Sequence, residues 1–185
     1  MSCHNIPVFL PHAGCPHRCL FCDQHSISGT VRTPAPEEVR AYLEECLAHY
    51  PHDPAQTEIA FFGGSFTCME LGYQRALLDI GGELVKRYGL KGIRLSTRPD
   101  GISPEIIRHL LEYPVQAVEL GAQSMNHWVL KQNRRGHTAA DTIRAAGLIR
   151  QAGLELGLQM MVGLLGDTAD TVWETARALA DLQPD

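Results

Sequence analysis

The chain has 185 residues, of which 44% are hydrophobic and 20% are charged, as in a folded globular domain. No apolar run approaches the roughly 18 residues that a membrane-spanning helix needs. The net charge of −5 gives no general attraction to nucleic acid or to an anionic membrane. The six cysteines follow no secretory signal, which favours a reducing, cytoplasmic location. We therefore expect one domain over residues 1–185 and no membrane partner.

Five short apolar runs alternate along the chain with longer helical patterns. The runs predict strands at Ile6–Leu10, Thr57–Phe62, Gly92–Thr97, Gln116–Gln123 and Glu155–Val162. Helices are predicted at about residues 36–49, 70–88 and 168–181, with two more beginning at Ser103 and Thr138. The pair Gly81-Gly82 weakens the prediction of a continuous second helix.

This strict β-then-α alternation is typical of a parallel sheet covered by helices. We expect an α/β fold of the partial (βα)6 TIM-like barrel type, because right-handed crossovers wind such units in one sense. A Rossmann-type sheet is the alternative, although no G-x-G-x-x-G pattern follows the first run. Polar or glycine-rich segments follow every run, and sites form at the carboxyl ends of barrel strands. The five segments should therefore meet at one rim.

Three cysteines follow the first predicted strand at a C-x3-C-x2-C spacing, namely Cys15, Cys19 and Cys22. Three neighbouring thiolates can bind a metal ion or an iron–sulfur cluster. No fourth cysteine stands at a matching spacing, so one metal position stays open, as in catalytic rather than structural sites. The pattern indicates an enzyme built around an open metal centre.

Other interpretations of the cysteines remain alternatives. A disulfide framework is disfavoured, because no secretory signal is present and the chain is large enough to build a core without cross-links. A zinc site would need a fourth ligand, and His12, His17 and Cys3 are near in sequence. We expect Cys46, on the apolar stripe of the first helix, and Cys68, after a glycine turn, to lie outside the centre.

Four further motifs accompany the cysteines in chain order: Phe-Phe-Gly-Gly-Ser-Phe-Thr, Ser-Thr-Arg-Pro-Asp, Glu-Leu-Gly-Ala-Gln-Ser and Asn-Arg-Arg-Gly-His-Thr. With them the whole chain resembles the radical S-adenosylmethionine superfamily. It looks most like the branch of the elongator catalytic subunit and of proteins similar to oxygen-independent coproporphyrinogen oxidase. The resemblance implies six βα units, of which this sequence supplies five. Because the family's Pro-Asp precedes the sixth strand, we expect the core domain to be truncated after Pro184-Asp185.

The resemblance implies a [4Fe–4S] cluster on Cys15, Cys19 and Cys22, with the fourth iron bound by the amino and carboxylate groups of S-adenosylmethionine. It implies an enzyme that cleaves this cofactor reductively to a 5′-deoxyadenosyl radical. The electron would come from a reductant such as flavodoxin or ferredoxin.

The resemblance also implies a set of contacts to S-adenosylmethionine. The residues concerned are Phe21, Gly63, Gly64, Ser65, Ser96, Glu119, Gln123, Arg135 and Gln159. Phe21 would pack on the adenine, the Gly-Gly-Ser segment would receive the amino group, and Gln123 and Arg135 would reach the ribose and carboxylate. For Glu119, an ion pair with an arginine such as Arg98 is the alternative.

Two features bear on the reaction. The family usually has a proline where this chain has Leu165, which predicts a looser turn after the fifth strand. Elongator-like members modify a uridine of tRNA, yet basic residues cluster here only at Lys131, Arg134 and Arg135. We expect tRNA modification as one outcome. Cofactor or haem binding without turnover, or activity like that of coproporphyrinogen oxidase, are the alternatives.

Overall fold

Five parallel strands form one sheet in the order β1-β2-β3-β4-β5 in the computed structural model, which describes residues 4–16, 18–24, 26, 29, 32–49 and 53–185. The strands are β1 His4–Leu10, β2 Thr57–Gly63, β3 Gly92–Thr97, β4 Val115–Gln123 and β5 Glu155–Met160. Each strand pairs with its successor in sequence, so the order never reverses as it does in a doubly wound sheet. The α/β barrel-type prediction is confirmed, and the Rossmann-type alternative is wrong.

Six α-helices are present in the described ranges. They are α1 Pro36–His49, α2 Leu71–Tyr88, α3 Pro104–Leu110, α4 His127–Gln132, α5 Ala139–Gln151 and α6 Ala169–Asp181. The predicted caps are confirmed, since Ser103 accepts a hydrogen bond from the Ile106 amide and Thr138 forms a capping box with Asp141. The short helix α4 was not predicted.

Helix α2 runs unbroken through Gly81-Gly82, and the sheet explains why. A Cβ on Gly81 would lie 2.8 Å from the Cδ1 atom of Ile93 on β3. The glycine therefore lets the helix approach the sheet more closely than any side chain would allow. The pattern that weakened the helix prediction reflects helix-to-sheet packing and not a helix end.

The two faces of the sheet differ in chemistry because side chains alternate along each strand. One face packs against the helices and forms the apolar core, with residues such as Phe61, Leu95 and Val118 fully buried. The other face carries polar side chains in register, for example Ser96 beside Glu119. This inner face is where charged residues and the strand-end motifs come together.

Strand β5 ends at Met160, two residues earlier than predicted. The β4–β5 register shifts between Gly121 and Gln123, and the Met161 amide donates to the Gln123 carbonyl at 2.9 Å.

Among the residues that the structure describes, none of the helices combines the length and apolarity needed to cross a bilayer.

Candidate functional site

One cavity lies at the carboxyl ends of the strands and has a volume of about 360 Å³. Its lining includes all twelve residues selected from the sequence, namely Cys15, Cys19, Phe21, Cys22, Gly63, Gly64, Ser65, Ser96, Glu119, Gln123, Arg135 and Gln159. These residues come from the loop after β1, from the ends of β2 to β5 and from the segment after α4. The fold thus brings the predicted metal and cofactor residues together, while their individual roles stay predictions.

The three cysteines of the loop after β1 carry thiols that form no disulfide. Cys19 is buried, and Cys15 and Cys22 are half-buried. Burial raises the pKa of the Cys22 thiol, and the negative charges of Cys19 and Cys15 raise it further. Three thiolates at these positions repel one another, so a cationic group between them would be strongly favoured.

The alternative of a zinc site gains no support from the surrounding side chains. In the described parts of the chain, no group of three or more His, Cys, Asp or Glu side chains that could hold a metal ion is found. Of the proposed zinc ligands, His17 and Cys3 lie outside the described residues, and His12 accepts a hydrogen bond from the Gln24 amide through Nε2 at 3.2 Å.

A buried arginine lies directly beside the cysteines. The Nη1 atom of Arg135 is 3.4 Å from the Sγ atom of Cys19, and Nη2 donates to the Gly121 carbonyl. Its positive charge lowers the pKa of Cys22 against the larger effect of burial. The Nε atom of Arg135 is buried and has no hydrogen-bond partner among the described residues. A guanidinium here offsets the negative charge that three thiolates bring.

The Gly-Gly-Ser segment after β2 packs against the cysteine loop. A Cβ on Gly64 would collide with the carbonyl oxygen and the amide of Ala13. The Ser65 amide donates to that same Ala13 carbonyl at 2.7 Å, and the Ser65 hydroxyl lies 3.4 Å from the Cys15 sulfur. The close approach of two backbones therefore requires glycine here, and it places Ser65 beside the first cysteine.

Three of the predicted cofactor residues form one hydrogen-bonded group on the inner face of the sheet. The Glu119 carboxylate accepts from the Gln159 amide at 2.6 Å and lies 3.5 Å from the Ser96 hydroxyl. Its other oxygen is 3.4 Å from Arg94. The alternative of an ion pair between Glu119 and an arginine is confirmed, but the partner is Arg94. Arg98, the arginine suggested, pairs with Asp100 at 2.7 Å and lies beyond the end of β3.

Below the cavity, an ion network spans the first halves of three strands. Arg94 contacts Glu58 at 2.6 Å and Glu155 at 3.0 Å, and Lys91 contacts the same two carboxylates at 3.0 and 2.9 Å. Glu58 is fully buried. The positive charges of Lys91 and Arg94 offset the cost of burying this carboxylate inside the sheet. The network joins the cavity through the contact between Arg94 and Glu119.

Two further residues that the sequence predicts as cofactor contacts, Phe21 and Gln123, line the same cavity. Phe21 is half-buried next to the third cysteine. Gln123 has a φ of 66°, a left-handed conformation that is unfavourable for a residue with a side chain. Such strain is found mostly at ligand sites, where the surrounding contacts impose it.

Sequence reasoning missed Gln24 as a lining residue. Its side-chain oxygen accepts from the His12 amide, and its side-chain nitrogen donates to the Gly63 carbonyl. It therefore joins the cysteine loop to the segment after β2. The only sequence signal is its position two residues after Cys22, which alone does not distinguish it from an ordinary loop residue.

The fold and the site together define a barrel-type protein with a three-cysteine loop at the carboxyl ends of its strands. The chain belongs to the Radical SAM superfamily, whose family model matches residues 9–179. This membership confirms the family that the sequence motifs indicated.

Individual relatives agree with this assignment. The chain is 28% identical over 202 residues to a tRNA uridine(34) acetyltransferase of Methanocaldococcus infernus, covering 89% of this chain and 38% of that protein. It is 24% identical over 172 residues to the heme chaperone HemW of Lactococcus lactis, covering 91% and 44%. Its fold resembles that of the coproporphyrinogen III oxidase HemN from Escherichia coli, with a TM-score of 0.68 at 18% identity, over 98% and 42% of the two chains.

The chain spans only part of these relatives. It covers between 36% and 42% of the length of the three tRNA uridine(34) acetyltransferases that it matches.

Proposed function

We propose that the chain is a radical SAM core domain that holds a [4Fe–4S] cluster on Cys15, Cys19 and Cys22 and binds S-adenosylmethionine in the adjoining cavity. The observation that carries the proposal is the convergence of all the predicted cluster and cofactor residues on one cavity of about 360 Å³. When bound, the cluster and S-adenosylmethionine supply a 5′-deoxyadenosyl radical by one-electron cleavage of the sulfonium. The protein binds and orients the reacting groups and excludes water.

The residues around the cysteines have chemistry that suits these ligands. Arg135 offsets thiolate charge beside Cys19, and the planar fork of a guanidinium also matches a carboxylate. Ser65 and the backbone of Gly63 and Gly64 border the cysteine loop, where the amino end of the cofactor would lie. The polar group around Glu119 borders the other side of the cavity and would meet the ribose.

We further propose tRNA modification as the reaction of the whole protein. The support is the similarity to three proteins named tRNA uridine(34) acetyltransferase. The alternative is cofactor or haem binding without turnover, which the similarity to a heme chaperone over 91% of this chain favours. In the first case, cleavage of S-adenosylmethionine would need a reductant protein such as flavodoxin or ferredoxin.

Anaerobic reconstitution with iron and sulfide tests the proposal. We expect a brown protein with close to four irons per chain, as a [4Fe–4S] cluster requires, that forms 5′-deoxyadenosine when it is reduced in the presence of S-adenosylmethionine. A stable cluster that never cleaves the cofactor would favour the binding alternative. Persistent absence of iron would contradict the proposal.

Paired cysteine variants test the ligand assignment. Cys19→Ala should prevent cluster assembly, because Cys19 lies in the cysteine loop beside Arg135. Cys46→Ser should leave assembly intact, because Cys46 packs at the edge of the apolar core. Iron content and the visible absorption of the cluster are the measurements. Equal loss in both variants would show that the ligands are assigned wrongly.

A further inference from the structure

A second cavity of about 630 Å³ adjoins the cysteine loop, since Pro16 and Arg18 line it. Six of its lining residues carry basic or imidazole side chains, namely Arg18, His127, Lys131, Arg134, Arg135 and His137. Arg135 lines this cavity and the cofactor cavity alike, so one side chain separates the two. We call the second cavity the basic pocket.

The charge of the basic pocket is opposite to that of the chain as a whole. None of the described residues that line it is acidic, whereas the chain carries a net charge of −5. Arg18, Lys131 and Arg134 are exposed. They form no ion pair with any acidic residue that the structure describes. A concentrated, unpaired positive potential of this kind attracts an acidic partner.

Backbone contacts fix this pocket to the cysteine loop. The Leu20 amide donates to the Asn133 carbonyl at 3.2 Å, which joins the loop to the end of helix α4. Arg134 follows directly with a φ of 53°, a left-handed conformation that is unfavourable for a residue with a Cβ. An exposed arginine is thus held in an unfavourable conformation beside the loop, where asparagine or glycine would be less strained.

The pocket provides a short path from solvent to the cysteines. Arg135 reaches from the pocket wall to within 3.4 Å of the Cys19 sulfur. Electron tunnelling slows steeply with distance, so a partner protein seated on this pocket would be well placed to reduce a group bound at Cys19. A substrate must instead reach the cofactor cavity, which shares only Arg135 with the basic pocket among the described lining residues.

We propose that the basic pocket is the docking surface for a small acidic electron-donor protein. This inference rests on the proposed function, because it needs a cluster on the three cysteines. With a flavodoxin as donor, the anionic flavin hydroquinone gives up one electron and becomes the neutral semiquinone. The cluster accepts that electron and passes from the 2+ to the 1+ state, and no proton or further reactant is required.

An RNA could also use exposed cations, but the geometry favours the redox protein. An RNA substrate has to present its reacting base to the cofactor cavity, whereas the basic pocket is a separate cavity that shares only Arg135 with it among the described lining residues. Among its described lining residues none is Phe, Tyr or Trp, so a base could stack only on an imidazole such as His127 or on an arginine.

The test compares two double variants with the same change in net charge. Lys131→Glu with Arg134→Glu reverses the pocket, and Lys86→Glu with Arg177→Glu is the control, because those two exposed cations lie outside both cavities. Each reconstituted protein is mixed by stopped flow with a photoreduced acidic flavodoxin or with dithionite. Cluster bleaching gives the rates, and retention of a tRNA on a filter gives RNA binding.

We expect the pocket variant to react with flavodoxin roughly tenfold or more slowly at low salt, the scale of electrostatic steering. It should react normally with dithionite, and the control should match the wild type. Raising the salt should narrow the difference. Unchanged flavodoxin rates with lost tRNA retention, or equal slowing in both variants, would overturn the docking site. Failure of dithionite to reduce any of the proteins would refute the proposed function itself.

Discussion

The contact between Gly64 and Ala13 gives a sharp prediction about how the cysteine loop is held. In Gly64→Ala, the new Cβ meets the Ala13 carbonyl oxygen and amide, which are backbone atoms and cannot rotate away. Overpacking of this kind costs typically about 1–3 kcal/mol. The hydrogen bond from the Ser65 amide to Ala13, at 2.7 Å, would also lengthen, at a further cost of about 1 kcal/mol. We expect the free energy of unfolding to fall by about 2–4 kcal/mol.

Urea unfolding followed by circular dichroism measures this change, and Gly147→Ala is the matched control. Gly147 lies in helix α5, where a Cβ would meet no atom within 4 Å. Alanine there should raise the free energy of unfolding by roughly 0.5–1 kcal/mol, the usual gain over glycine inside a helix.

The same substitution should also impair cluster assembly, because Cys15 is two residues beyond Ala13. Iron content after anaerobic reconstitution should therefore fall in Gly64→Ala and stay normal in Gly147→Ala. If Gly64→Ala unfolds at the same urea concentration as the wild type and binds the same amount of iron, the two backbones do not pack as described. The reasoning about this loop would then be refuted.

Two further predictions concern buried ionisable side chains. Arg94→Met should lower the free energy of unfolding by about 3 kcal/mol, because fully buried Glu58 would then keep Lys91 as its one described cationic partner. Arg108→Met removes only an exposed ion pair with Glu105 and should leave the free energy of unfolding nearly unchanged in the same urea assay. His137 is buried, and burial and the Arg135 charge lower its pKa to about 4. Since only the unfolded chain binds this proton between pH 6.5 and 4, acidification should destabilise the wild type by up to about 3 kcal/mol more than His137→Gln. Parallel pH profiles for the two proteins would contradict this.

The sheet was predictable because its signal is local. Runs such as Thr57–Phe62 are short, apolar and followed by glycine, and the predicted helices between them begin at recognisable caps such as Ser103 and Thr138. The convergence of the motifs followed from the rule that strand ends share one rim. The short helix α4 was missed because six residues carry too little periodicity to be distinguished from a loop.

Which side chains pair across the sheet was harder to predict than where each strand lies in the sequence. Arg94 and Arg98 are four residues apart, so in one continuous strand their side chains would lie on the same face. Either arginine could then pair with Glu119. Alternation holds only within a strand, and β3 ends at Thr97, so Arg98 turns away and binds its neighbour Asp100. The basic pocket was not predicted from the sequence for a similar reason. Arg18 is far in sequence from Lys131 and Arg134, and only the fold brings the three side chains to one pocket.

Ion pairs and hydrogen bonds on the inner face of the sheet determine which ligand groups the cavity wall around Glu119 favours. The ion network at the start of the strands fixes one carboxylate oxygen through Arg94 at 3.4 Å. The other oxygen accepts from Gln159 at 2.6 Å and faces the Ser96 hydroxyl at 3.5 Å. A hydroxyl has one hydrogen, so when Ser96 donates it to Glu119, only its acceptor lone pairs remain for a ligand. This wall therefore favours ligand groups that donate hydrogen bonds, such as the hydroxyls of a ribose, and the preference originates in charges at the opposite end of the strands.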